Sequence, residues 1–79
     1  MKKIVVIESG WVLVGDYEGK RDKTLLTDAS VIRLWGTSKG LGEIAINGPT
    51  KDTVLDKLGV TEITNKHILF IVECNQQKW

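Results

Sequence analysis

Apolar residues in this chain come in short blocks separated by glycine and charge. Lys3–Ser9 is β-branched and almost continuously apolar. Such a run reads as a strand with both faces at least partly covered, because a half-exposed strand would alternate. Gly10 interrupts it as a turn or bulge. Trp11-Val12-Leu13-Val14 resumes an apolar strand that runs toward Tyr17. The charged, glycine-containing segment Glu18–Asp22 reads as a hairpin tip. Lys23–Thr27 follows as a short returning strand, Asp28-Ala29 as a brief turn, and Ser30–Trp35 as the next strand.

The period then changes. Leu41, Ile44 and Ala45 fall at i, i+3 and i+4, the spacing of one helix face. Ser38 stands where an N-cap belongs and Gly48 where a C-terminal glycine belongs, and Pro49 prevents continuation. Gly40 and Gly42 weaken this short helix, each by about 1 kcal/mol relative to alanine. Thr50–Gly59 has two readings. It is either a helix capped by Thr50, with Val54, Leu55 and Leu58 on one face, or an irregular arm carrying one short strand. Val60–Ile63 begins an alternating pattern, Asn65-Lys66 is a turn signal, and Ile68–Val72 reads as the strongest buried strand. Asn75–Trp79 is a polar tail with an aromatic end. The pattern predicts a mainly β (α+β) domain: a small antiparallel sheet curled into a partly open barrel, with one or two short helices, one of them plugging a side.

Length, charge and cysteine content narrow the classes. The 79 residues make a single small domain, 1–79. A chain of this size buries only about 60% of the surface its unfolded form exposes, which favours a homo-oligomer. One cysteine, Cys74, excludes an intrachain disulfide and suits a reducing cytoplasm. One His and one Cys do not make a tetrahedral metal site. With 11 basic against 10 acidic residues, the net charge of +1 does not fit a general nucleic-acid binder. Glu8 ends the first apolar run too early for a signal peptide, and no run approaches the roughly 20 residues of a membrane span. A soluble cytoplasmic protein without membrane partners is expected.

Candidate chemistry concentrates where the strand ending at Trp35 enters the loop Gly36-Thr37-Ser38-Lys39-Gly40. A glycine-rich loop opening a helix turns backbone N–H groups toward one point, where an anion can sit. The loop lacks the spacing of a P-loop and the G-x-G-x-x-G dinucleotide fingerprint, which argues against a nucleotide-hydrolysing machine. A simpler anion site remains, built from amides around Ser38–Gly40, the hydroxyls of Thr37 and Ser38, and the charge of Lys39. The plain alternative is a turn that needs glycine for positive φ. Arg33 and Trp35 lie two apart on a strand and are expected to share a face, offering a cation and a stacking surface. Otherwise Trp35 is core and Arg33 solvated. Trp11 and Trp79 are further stacking or interface candidates. Trp79 either flaps in solvent or docks on a neighbouring surface, and docking on another subunit would extend a small core. His67 reads as a rim residue and Cys74 as a small buried hydrophobe. The carboxylates are scattered, with no pair at a spacing that suggests acid–base work. Neither an enzyme nor a cofactor is expected.

Several short patterns recur together. Ala29, Ile32 and Trp35 follow A-x-x-I-x-x-W; Gly36 opens a Gly/Ser loop; Leu41, Ala45 and Gly48 follow L-x-x-x-A-x-x-G; Glu62, Ile63, Ile68, Phe70 and Ile71 close the chain with a strand pair. In these features the chain resembles small uncharacterised bacteriophage proteins of a domain-of-unknown-function type. The resemblance covers most of the chain and departs from it in Thr50–Gly59 and in the Trp79 tail. It implies a phage origin, a compact β fold and a bacterial host cytoplasm, and supplies no biochemical role. By analogy, phages encode small oligomeric proteins that sequester the cyclic nucleotide signals of bacterial defence. The resulting expectation is a non-enzymatic, self-associating protein that binds an anionic small molecule of the nucleotide class through Arg33, Trp35, Gly36, Thr37, Ser38, Lys39 and Gly40. The alternatives are a module that inhibits or adapts a host protein, marked by an exposed apolar patch around Trp11 and Trp79, and a minor structural phage protein.

Overall fold

The computed structural model describes residues 1–79. Five strands, β1 (Lys2–Ile7), β2 (Val12–Gly19), β3 (Lys23–Leu34), β4 (Val54–Thr64) and β5 (Ile68–Glu73), form one sheet in the order β4-β3-β2-β1-β5. All four pairings are antiparallel. The one α-helix, α1 (Leu41–Asn47), lies between β3 and β4, and short 3-10 turns occupy Glu8–Gly10 and Asn65–His67. No helix is long and apolar enough to cross a membrane.

The connection between β4 and β5 shows that the sheet is curled. These strands are the two outer edges, yet only Asn65–His67 joins them. Four Cα steps span at most about 15 Å. The outer strands of a flat five-stranded sheet would lie roughly 19 Å apart. The edges must therefore converge at this corner. Asn65 fixes it by donating its N–H to the Asp22 carbonyl (3.0 Å) and accepting the Thr24 hydroxyl at Oδ1 (2.7 Å). The two edges do not pair with each other, so the curl stays open.

Curling gives the small domain two apolar clusters. Ile4 and Val6 point to the side covered by α1, where Val14, Ile32, Ile44, Ala45 and Cys74 join them. Val5 points to the other side, among Leu13, Leu26, Ala29 and Ile63. Ile4 and Val5 are fully buried, so β1 is covered on both faces, as its unbroken apolar run predicts.

Four local expectations are corrected. Lys23–Leu34 is one bent strand, not two strands around an Asp28-Ala29 turn. Asp28 takes φ 50°, and the pairings on both sides of β3 shift register beside it. This is a bulge, which carries the same residue signature as a tight turn. Gly15 lies opposite, and a Cβ there would stand 3.1 Å from Ala29 Cα and from the Thr27 carbonyl oxygen, so a side chain here would press on the bend. Next, Thr50–Gly59 takes the second of its two readings, an arm entering a strand, and that strand is long rather than short. Val54 onward is strand β4, and Gly59 is a kink within it, opposite Ala29. Third, Ser38 does not cap α1. Gly40 occupies the N-cap position with no side-chain cap, while Gly48 ends the helix with its N–H on the Ile44 carbonyl (2.9 Å). Last, β5 is not buried: Leu69, Phe70 and Ile71 are 61%, 50% and 38% exposed. It is an edge strand that packs mainly through Ile68 and Val72.

Candidate functional site

The glycine loop is held from two sides. On the sheet side, Thr53 Oγ1 donates to the Trp35 carbonyl (2.6 Å) and Thr50 Oγ1 to the Gly36 carbonyl (2.8 Å). A Cβ on Gly36 would come within 2.4 Å of Asp52 C and Thr53 N, so this backbone approach admits only glycine. On the helix side, two of the loop's N–H groups are already taken. Glu43 Oε1 accepts from the Lys39 N–H (3.0 Å) and the Ser38 hydroxyl (3.2 Å). Thr37 Oγ1 accepts from the Gly40 N–H (3.1 Å). The loop thus does bind an anion, and that anion is the carboxylate of its own helix. Lys39 stays exposed beside an open 420 Å³ groove along Gly42, Glu43, Ile46 and Asn47.

Arg33 and Trp35 part company. The pairing of β3 with β4 slips between Ile32 and Leu34, which breaks the alternation of faces. Trp35 packs on the helix-side cluster with Ile32. Arg33 turns outward and forms a forked pair with Asp56, Nε to Oδ2 at 2.8 Å and NH2 to Oδ1 at 3.4 Å. Both partners are well exposed, so the pair adds little stability, but it satisfies the guanidinium. Arg33 instead lines an apolar groove of 540 Å³ with Trp11, Val31, Asp56 and Leu58. Trp11 is 55% exposed there.

Trp79 neither flaps free nor reaches outward. Its indole Nε1–H points at the carbonyls of Ile44 (3.2 Å) and Ala45 (3.3 Å), and its ring packs on the helix-side cluster. The tail before it presses on the helix end, since a Cβ on Gly48 would lie 2.5 Å from the Lys78 carbonyl oxygen. A cavity of 260 Å³ opens between this tail and the sheet, lined by Lys2, Ser30, Lys57, Lys78 and Trp79 among others. At its mouth, Lys2 Nζ lies 3.1 Å from Asp28 Oδ2 and 3.4 Å from Asp16 Oδ2. Partial burial works against the Lys2 charge, but its carboxylate partners outweigh that and raise its pKa. The hydrogen bond from Lys2, its charge and that of Lys57 lower the pKa of Asp28.

The remaining reactive types are engaged elsewhere. His67 Nδ1 sits 3.0 Å from Glu8 Oε2, a partner 59 positions away that spacing could not show. Cys74 is buried, and burial pushes its thiol up to about 11.

Sequence reasoning missed Ser30, Lys57 and Lys78, and the exposure of Leu69 and Phe70. Ser30 and Lys57 become neighbours only through the β3–β4 register, which no local pattern encodes. For β5, the short segment Asn65–His67 gave no warning, because a short link ordinarily joins neighbouring strands and here the curl brings the far edge to it. No family model, curated protein or solved structure matches the chain.

Proposed function

We propose that this chain is a non-enzymatic binding protein that works as a self-associated unit and captures an anionic small molecule of the nucleotide class. In a bacterial host, capture alone would withdraw such a molecule from signalling. The observation that carries the self-association is β5. It is unpaired along its outer edge and exposes Leu69, Phe70 and Ile71. Soluble domains guard such edges with lysine, proline or a bulge. Within Ile68–Glu73 there is no proline and no lysine, and the one charge is Glu73.

The occupant is a second copy of β5. Antiparallel pairing about a two-fold axis at Phe70 sets Leu69 against Ile71 of the other copy, and Ile68 against Val72. The same register sets His67 against Glu73, so polar ends flank the apolar middle. A two-fold contact requires this self-complementarity. Capture without catalysis fits the engagement of His67 by Glu8 and the raised pKa of the Cys74 thiol.

Sedimentation velocity across a concentration series tests the reading. The native chain sediments as a dimer, and Phe70→Glu, at an exposed position, sediments as a folded monomer. A native chain that stays monomeric at high concentration contradicts it.

A second reading, docking on a host protein, draws on the Trp11 groove. Arg33 and Asp56 neutralise each other there, so its partner would present an uncharged apolar segment along the free edge of β4. Loss of a pulled-down partner on Trp11→Ala, with self-association intact, would favour that reading.

A further inference from the structure

The cavity under the C-terminal tail has a layered construction. Its floor is a row across three strands: Val14 of β2 pairs with Ser30 of β3, and Ser30 pairs with Lys57 of β4. Leu55 extends the floor on the same face of β4. Pro49, Lys78 and Trp79 form the opposite wall. The indole hydrogen bonds to the α1 carbonyls hold that wall in place before any ligand arrives.

Two features of the lining call for an anion. First, Ser30 is 8% exposed, yet its hydroxyl is bonded to no protein group, and no buried side-chain polar atom in the chain is left unsatisfied. The hydroxyl therefore reaches solvent through the cavity that Ser30 lines. Second, three lysines face a single carboxylate, Asp28, and Lys2 takes up that carboxylate. Lys57 and Lys78 have no carboxylate within ion-pair distance. Lys57 acts on Asp28 only from beyond ion-pair distance, and two ammonium groups without a direct partner match a dianion. Ammonium groups act as point charges suited to phosphate, whereas the fork that selects carboxylate belongs to arginine.

We propose that this cavity is the capture site for the phosphate group of a small molecule. Ser30 Oγ donates to a phosphate oxygen, Lys57 and Lys78 neutralise its charge, and the Trp79 ring flanks the organic remainder. This rests on the anion-capture reading above and moves the anion from the glycine loop, where Glu43 and Thr37 take the Lys39 and Gly40 N–H groups, to the row Val14–Ser30–Lys57. It does not rest on self-association.

The test is a titration of the full chain with inorganic phosphate and with adenosine 5′-monophosphate, followed by amide and indole NMR shifts. Saturable shifts are expected at Ser30, Lys57 and the Trp79 indole N–H, weakening with added salt. Lys57→Ala and Lys78→Ala each weaken binding by about tenfold or more, and Ser30→Ala by roughly threefold to tenfold. Lys39→Ala leaves it unchanged. If Lys39→Ala abolishes binding and Lys57→Ala does not, the anion sits at the glycine loop: capture stands and this site falls. If neither probe shifts any resonance at millimolar concentration, the site and the capture reading both fall. The sedimentation of the same samples reads self-association independently.

Discussion

A methyl group at Gly36 would collide with the Asp52–Thr53 backbone, and the residue holds φ 69°. Gly36→Ala therefore combines strain at positive φ with a steric push on the β4 approach, and costs about 2–3 kcal/mol in urea denaturation. A Gly42→Ala control, where a Cβ meets nothing, stabilises α1 by about 0.5–1 kcal/mol. Thus the glycine signal was legible, but its meaning was not. It marks a close backbone approach at Gly36, while a few residues on the Lys39 N–H is taken by Glu43 and the Gly40 N–H by Thr37. Cys74 supplies a pH prediction. Its folded thiol pKa, about 11, lies above the ordinary 9.0, so the protonated form is the one folding favours. The stability this contributes is intact below about pH 9 and is lost as pH rises toward 11. Thiolate absorbance should show a midpoint near 11 in the folded chain and near 9 in denaturant.

Among the elements, β5 and the tail exchange the roles their composition implies. The most apolar segment lies at the edge, and the polar tail carries the aromatic that seals α1. Local hydrophobicity reports how much surface a segment would bury, and topology decides whether anything is there to bury it. Two consequences are measurable. Trp79→Ala removes ring packing and the indole hydrogen bonds to Ile44 and Ala45, and lowers stability by about 2 kcal/mol. In the proposed dimer, Phe70 faces its own copy across the two-fold axis, with Cβ atoms about 5 Å apart. Phe70→Cys therefore forms a disulfide-linked dimer on mild oxidation. Leu69→Cys, which faces Ile71 of the other copy, does so far less readily. The buried Cys74 does not interfere.

For the molecule as a whole, the mainly β, curled antiparallel sheet with a short helix was readable from the alternation of apolar blocks and turn residues. The bends were not. The turn signal at Asp28-Ala29 and the glycine at Gly59 are irregularities facing each other near the middle of β3 and β4, and they let two long strands wrap over the second cluster. That wrapping is what allows 79 residues to hold two apolar clusters on one sheet. It also leaves both edges open, with Leu58 and Val60 exposed on β4 and Leu69, Phe70 and Ile71 on β5. A small domain gains by covering such surface with a copy of itself. The most direct measurement is sedimentation equilibrium of the native chain and Phe70→Glu side by side, with circular dichroism to establish that both are folded. The account predicts twice the chain mass for the native protein and the single-chain mass for the variant. A native protein at single-chain mass throughout the concentration range, or a variant that keeps the native mass, would contradict it.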